Sequence, residues 1–153
     1  MKAFSVPEVK PFMAGLLQGS LFADWELRQA ELGLACRITL QGAANMEYLT
    51  EHDTAFLHWP EIQPKIRGLI QGGRTPSFMR LTLAYPADAL PDANREWIDA
   101  FLLNLTFEKG RLTLVSGIAA NAFSMDKEPD RLWDAFLPAY FAAHSVLLTE
   151  EVV

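Results

Sequence analysis

Four basic side chains lie in a stretch of the chain that has no acidic residue, and basic groups held close together can bind an anion. No Asp or Glu occurs between Glu61 and Asp88, and we call residues 62–87 the cationic segment. Guanidinium and ammonium groups form charge-assisted hydrogen bonds with phosphate and carboxylate. The segment is therefore the first candidate binding site. Its basic residues are Lys65, Arg67, Arg74 and Arg80.

Two glycines in the cationic segment add backbone donors to this prediction. Gly72 and Gly73 precede Arg74, and successive backbone N–H groups in such a turn can form a concave anion site. The expected ligand is a nucleotide, a nucleic-acid strand or an acidic protein surface. A simpler explanation stays open, because a Gly-Gly pair is an ordinary helix stop and the helix dipole favours cations near a helix C-terminus.

A second group combines histidines with carboxylates, which can bind a metal ion or form an acid–base pair. Glu51, His52, Asp53 and His58 fall within eight residues. The two histidines are six residues apart, whereas ligands on one helix face are three or four apart. No third ligand with a recognisable spacing accompanies them. An enzyme that uses His52, Asp53 and His58 is therefore the least favoured function, and no metal or cofactor is predicted.

The single cysteine is predicted to be structural. Cys36 alternates with Leu34 and Ile38, and a buried cysteine usually behaves as an inert small hydrophobe. One cysteine cannot form an internal disulfide, which suits a reducing compartment. The chain also lacks a Walker A loop, a Rossmann fingerprint, a nucleophile elbow and a His-Glu-x-x-His sequence.

Length and composition favour a single domain over residues 1–153 in the cytoplasm. No apolar run approaches the roughly 20 residues that span a bilayer. A net charge of −6 argues against non-specific wrapping of nucleic acid, so nucleic acid could bind only through a local basic patch. Ten Phe, four Trp and 50% apolar residues fit either a well-filled core or an exposed interface.

Apolar periodicity predicts three main helices. The first follows Ser5 and Glu8, which have capping-box spacing, and covers residues 9–17. The second covers residues 62–70, and a shorter apolar group at 55–57 follows a possible cap at Thr50. The last begins after Asp126 and continues to about residue 144, with Pro138 expected to kink or shorten it.

Alternating apolar residues predict strands and a hairpin turn at residues 108–110. The chain contains no repeated strand–helix–strand unit. These patterns predict an α+β domain with a mainly antiparallel sheet of five to six strands, on which the N-terminal, central and C-terminal helices pack. Residues 147–153 are expected to be loosely ordered. The predicted strands are 25–32, 34–41, 78–85, 101–107, 112–116 and a short one at Phe123 and Met125.

Several segments together resemble an uncharacterised family of small bacterial proteins. They are the Val9–Met13 helix start, the strand that ends at Gln41 and Gly42, Trp59, the segment from Leu69 to Pro76, and a last helix centred on Trp133 that ends at His144. The resemblance spans most of the chain, and its most specific part is Gly-x-Arg-Thr-Pro. It implies no activity and gives no residue a role, but it suggests that this turn does more than end a helix.

The sequence therefore favours a non-enzymatic binding or regulatory module that acts through protein–protein contact or self-association. One version is an inhibitor or accessory of a nucleic-acid enzyme. The alternative is a protein that binds a nucleotide or another anion at Gly72, Gly73 and Arg74. Lys65, Arg67 and Arg80 are further contact candidates. Trp25 and Trp59 are candidate aromatic anchors, because aromatic and Arg side chains dominate interface energetics.

Overall fold

The structure is a computed structural model that describes residues 1–70, 72 and 74–151. This part of the chain contains one antiparallel sheet of seven strands and three α-helices. This α+β architecture confirms the predicted fold class. The strands are β1 (Ala3–Ser5), β2 (Glu26–Gly33), β3 (Arg37–Gln41), β4 (Phe78–Pro86), β5 (Ile98–Glu108), β6 (Arg111–Ala120) and β7 (Thr149–Glu150). The helices are α1 (Val9–Leu17), α2 (Trp59–Ile70) and α3 (Glu128–Ala143).

The sheet has the order β3-β2-β4-β5-β6-β1-β7, and each pair of neighbours is antiparallel. Side chains of a strand point alternately to its two faces. In β4, Met79, Leu81 and Leu83 are therefore buried together on one face. Arg80 and Thr82 point to the opposite face, where Thr82 Oγ1 donates a hydrogen bond to Asn104 Oδ1 at 2.9 Å.

All three helices contribute side chains to the core on the apolar face of the sheet. Each places at least two almost fully buried aromatic or aliphatic side chains there, four or seven residues apart, which puts them on one helix face. Burying several large rings in one layer removes a great deal of apolar surface from water, which is the main force favouring the folded chain. The buried helical residues are Phe12 and Leu16 of α1, Trp59 and Ile66 of α2, and Trp133, Leu137 and Phe141 of α3.

Sequence periodicity does not predict two short strands at one side of the sheet. Phe4 of β1 pairs with Leu114, and Ser5 pairs with Thr149 of β7. Segments of three and two residues are too short to show an alternation, so the sequence pattern cannot reveal them. The sheet therefore has seven strands, whereas five to six were predicted. The tail pairs as far as Glu150, and residues 152 and 153 lie outside the described residues.

Two local predictions are wrong. Phe123 and Met125 form no strand and are 91% and 83% exposed, because β6 continues through Gly117 to Ala120. The apolar group at residues 55–57 is not helical, and Phe56 instead forms a β-bridge with Ala43.

Prolines do not interrupt the helices as strictly as their sequence positions suggest. α2 begins at Trp59, so Pro60 lies in the first turn, where a missing N–H costs nothing. α3 continues past Pro138, which is exposed, as far as Ala143. None of the described helices combines the length and the apolar character that crossing a bilayer requires.

The β5–β6 turn is a confirmed prediction. Lys109 and Gly110 both have positive φ, at 53° and 75°, between the paired residues Glu108 and Arg111. Positive φ at both central residues is the mark of a two-residue type I′ hairpin, for which glycine at the second position is well suited.

Candidate functional site

One face of α2 satisfies the carbonyl groups at the end of α1. The indole Nε1 of Trp59 donates to Leu16 O at 2.9 Å, Gln63 Nε2 donates to the same oxygen at 2.8 Å, and Arg67 donates to Leu17 O at 3.3 Å. The last carbonyls of a helix have no partner within the helix, and donors four residues apart lie on one helix face. Trp59 and Arg67 therefore have structural roles.

Trp25 is also part of the core. Its side chain is fully buried, its ring lies against Phe22 and Tyr85 with both centroids at 5.1 Å, and its indole N–H donates to the hydroxyl of Tyr140 at 3.0 Å. A side chain in this position cannot reach a partner protein. The structure thus places both candidate aromatic anchors, Trp25 and Trp59, in the interior.

Arg80 lies apart from the other basic residues of the cationic segment. It projects from β4 on the sheet face opposite the helices, donates to Glu31 Oε1 at 3.2 Å, and lies 4.7 Å from the centroid of the Phe78 ring. The same Phe78 ring covers Gly33, where a Cβ atom would come within 2.4 Å of it. Arg80 is thus held by a neighbouring carboxylate and an aromatic ring.

Arg74 lies in the connection between α2 and β4, and this connection separates two grooves. The first, the turn groove, has a volume of about 610 Å³ and lies between the connection and the β2–β3 turn. It is lined by Leu34, Cys36 and Ile38 on one side and by Ile70, Arg74 and Pro76 on the other, with further residues at its ends.

The second, the helix groove, has a volume of about 600 Å³ and lies between the connection and α1. Among the residues that the structure describes, the basic side chains on its wall are Lys10 and Arg74, and no carboxylate lines it. Neither of these cations forms a salt bridge with another described residue. The apolar side chains of the groove are Val9, Met13, Ala14, Leu17, Ile70, Pro76 and Phe107.

The cationic segment is therefore divided in space. Lys65 is exposed on α2 and lines neither groove. Gly72 is exposed with φ of +118°, a conformation that favours glycine, and it lines the turn groove. Gly73 lies outside the described residues. Of the predicted contact residues that the structure describes, Arg74 alone lines both grooves, and its companion in the helix groove is Lys10, from the N-terminal helix α1.

The prediction that Cys36 is buried is wrong. β3 begins at Arg37, so Leu34 to Cys36 form the turn and the apolar alternation starts only with Ile38. The thiol side chain is exposed and lines the turn groove.

The histidines are closer together than their spacing indicates. His52 and His58 stack with ring centroids 5.5 Å apart and an interplanar angle of 27°. His52 Nε2 lies 2.8 Å from Glu61 Oε1, and His58 Nε2 lies 2.9 Å from Asp53 Oδ1. The helix-face argument fails because residues 51–57 are not helical, so the loop folds back on itself.

Glu61 is the residue that sequence reasoning missed. Its carboxylate also accepts the backbone N–H of His58 at 2.8 Å, so His58 and Glu61 form the reciprocal part of a capping box at the start of α2. The sequence signal for this role is the spacing of three residues between His58 and Glu61, just where the apolar pattern of a helix begins. We call His52, Asp53, His58 and Glu61 the histidine cluster.

Hydrogen bonds within the histidine cluster change three pKa values. The Glu61 carboxylate, followed by the Thr54 carbonyl, raises the pKa of His52 above its usual value. Burial opposes ionisation of Glu61, but the His52 side chain and the His58 N–H together lower its pKa. The hydrogen bond from His58 lowers the pKa of Asp53. Both carboxylates are therefore negatively charged at neutral pH.

Residues 15–148 match the sequence model of DUF5721, which is described as a family of unknown function. The chain belongs to DUF5721. This confirms the resemblance seen in the sequence, and the matched range contains both the Gly-x-Arg-Thr-Pro segment and the histidine cluster. The bacterial origin of this DUF5721 chain stays a prediction. No curated protein and no solved structure is significantly similar to it.

Proposed function

We propose that this protein is a binding module that holds an acidic, partly apolar segment of a partner protein in the helix groove. The observation that supports this proposal is the pairing of Lys10 and Arg74 with apolar walls in a groove without a carboxylate. The chain has a net charge of −6, but charges more than roughly 10 Å apart are largely screened by salt. The two cations of the helix groove can therefore attract anionic side chains of a partner although the protein as a whole is negative.

The walls of the helix groove favour a protein segment over a free nucleotide. Seven apolar side chains line it, among them the flexible Met13, and methionine adapts its shape to different partners. A nucleotide would need polar partners for its ribose and several phosphate oxygens, whereas only four of the described side chains that line the groove are polar or charged, against seven apolar ones. Binding then combines apolar burial with charge pairing, the pattern of peptide docking in a groove.

A display library of random peptides, selected on the intact protein, tests the proposal directly. We expect enriched peptides to combine Asp or Glu with large apolar residues. Replacement of both cations (Lys10→Glu and Arg74→Glu) should weaken the best peptide at least about tenfold, because like charges would then face each other.

The matched control for each single replacement, Lys10→Glu or Arg74→Glu, is Lys127→Glu, which makes the same charge reversal just before α3 and outside the helix groove. This control should leave peptide affinity within about twofold. Equal weakening by all three replacements would show a net-charge effect and contradict a site in the groove, as would the absence of any enriched peptide class.

A nucleotide or another small anion at the turn of Gly72 and Arg74 is the second proposal, supported by the positive φ of Gly72 and the exposure of Arg74. A thermal-shift panel of nucleotides separates the two, since a bound ligand raises Tm by mass action. A nucleotide that raises Tm in the intact protein but not in Arg74→Glu would favour this second proposal. That the partner is a nucleic-acid enzyme stays a prediction.

A further inference from the structure

The histidine cluster lies in the loop between β3 and α2, and this loop is fixed at several points by its backbone. Leu57 N donates to Gly42 O at 2.7 Å, and Ala44 N donates to Ala55 O at 2.9 Å. His58 forms a β-bridge with Glu26 of β2. His58 therefore lies at the end of a short paired segment, His52 lies three residues before that segment, and Glu61 lies in the first turn of α2.

Three side chains of the cluster converge on one point. His52, His58 and Glu61 each offer one nitrogen or oxygen atom, and these atoms lie within 4.8 Å of one another. In a tetrahedral zinc site, ligand atoms are about 3.3 Å apart, given Zn–N and Zn–O bonds of roughly 2.0–2.2 Å. A shift of about 1.5 Å or less, within reach of side-chain rotation, would bring the three atoms to that separation.

The orientation of His52 is already that of a metal ligand. Its Nδ1 lies 2.7 Å from the backbone oxygen of Thr54, so this nitrogen carries the proton and donates it. The other nitrogen, Nε2, then points towards Glu61 at 2.8 Å. A backbone carbonyl that fixes the imidazole in this way is the usual outer partner of a histidine bound to a metal. The side chain of His52 is only 6% exposed, which restricts its other orientations.

We infer that His52, His58 and Glu61 form a binding site for a first-row transition-metal ion such as Zn²⁺. Two imidazole nitrogens and one carboxylate oxygen are ligands for zinc and its neighbours, whereas Ca²⁺ and Mg²⁺ prefer oxygen alone. The Asp53 carboxylate, bonded to His58, adds negative charge beside the ion.

The exposure of the cluster leaves one side of the site open. Asp53 is 76% exposed and Glu61 39% exposed, whereas His58 is 34% exposed. Three protein ligands with an open fourth position form the arrangement in which water or another ligand completes the coordination. The site is separate from the helix groove, since no described residue lines both.

Zinc binding to the full-length chain, after treatment with a chelator, tests this inference by calorimetry and by competition with a coloured zinc indicator. We expect one Zn²⁺ per chain, released protons as imidazole protons are displaced, and a higher Tm. Co²⁺ should give the visible absorption bands of a four-coordinate ion. Each of His52→Gln, His58→Gln and Glu61→Gln should weaken binding at least tenfold.

His144→Gln is the matched control, because this third histidine lies at the end of α3 and its Nδ1 contacts Tyr140 O at 2.8 Å, away from the cluster. It should change zinc affinity by less than twofold. Circular dichroism would show whether each variant is folded. Glu61→Gln keeps an oxygen that can accept the His58 N–H, so this variant still tests the inference if a histidine variant does not fold. Failure to bind Zn²⁺ at micromolar concentration would overturn the inference. Equal affinity in the folded cluster variants and the wild type would also overturn it.

Discussion

The hydroxyl group of Tyr140 joins two groups in the core that have no other hydrogen-bond partner among the described residues, and its removal is predicted to destabilise the protein. This hydroxyl donates to Leu21 O at 2.6 Å and accepts the indole N–H of Trp25 at 3.0 Å. Trp25 is 0% exposed and Leu21 is 5% exposed. Burial raises the pKa of Tyr140, so the hydroxyl stays protonated and can donate across the neutral pH range. Tyr140→Phe removes both hydrogen bonds without a large change of shape.

The expected loss follows from two buried polar groups that lose their partner. An intramolecular hydrogen bond contributes about 0.5–1.5 kcal/mol net, and a buried group left unpaired costs about 1–3 kcal/mol. We therefore expect Tyr140→Phe to lower the free energy of unfolding by about 2–3 kcal/mol. For a chain of this length, that corresponds to a fall in Tm of roughly 4–12 °C, at about 2–4 °C for each kcal/mol.

Tyr85→Phe provides the control for Tyr140→Phe. The ring of Tyr85 also packs on Trp25, with centroids 5.1 Å apart, but its hydroxyl forms no hydrogen bond with the described residues. Urea unfolding followed by tryptophan fluorescence and by circular dichroism should show less than about 0.5 kcal/mol change for Tyr85→Phe, with equal m values in both variants. Equal stability of the two variants would refute the role assigned to the Tyr140 hydroxyl.

Three further predictions concern glycines and a helix start. Gly42→Ala should lower the free energy of unfolding in urea by about 2 kcal/mol or more. The new Cβ atom would lie 1.7 Å from Leu27 O, so the backbone after β3 would have to move away from β2; a variant as stable as the wild type would contradict this close approach. Gly68→Ala should raise stability by up to about 1 kcal/mol in the same assay, because the position is exposed in α2 and, apart from the backbone of its own helix and its chain neighbours, no described atom lies within 4 Å of the new methyl group. The hydrogen bond from the Glu128 N–H, with a further one from Arg95, lowers the pKa of Asp126. The ionised Asp126 side chain therefore stabilises the folded protein above the ordinary Asp pKa of about 4, and this stabilisation is lost as the pH falls through the folded-state pKa. Tm measured against pH should show Asp126→Ala below the wild type at pH 7 and a narrowing gap below about pH 4; a constant gap would exclude this ionisation as the cause.

The fold could be predicted where the chain shows a long apolar period. The alternation around Leu81 and Leu83 in β4, and the longer run in β5, decide the central strands because each has one face against the helices. The hairpin at Lys109 and Gly110 follows from local turn geometry. The short strands β1 and β7 could not be predicted, since β1 pairs with β6 and β7 pairs with β1, and each partner is distant in sequence.

The candidate sites depended on tertiary contacts that local spacing does not contain. Composition indicates many aromatic residues but does not say that Trp59 satisfies a carbonyl of α1. Arg74 could be predicted as a contact candidate, whereas Lys10 could not, because α1 and the connection after α2 meet only in the folded chain. The stacking of His52 on His58 likewise arises from a loop that reverses direction, which a helical spacing rule cannot represent.

The most direct test of the proposed function is an NMR titration of the ¹⁵N-labelled protein with the tightest peptide from the display selection. Docking in the helix groove predicts that the largest amide shifts map to its wall, at Met13, Leu17 and Phe107. It also predicts that the double variant, with Lys10→Glu and Arg74→Glu, needs at least about tenfold more peptide to reach the same shifts. If the largest shifts instead lie around Thr82 and Asn104 on the opposite sheet face, or if the double variant reaches its shifts at the same peptide concentration as the wild type, the helix groove is not the binding site and the account is wrong.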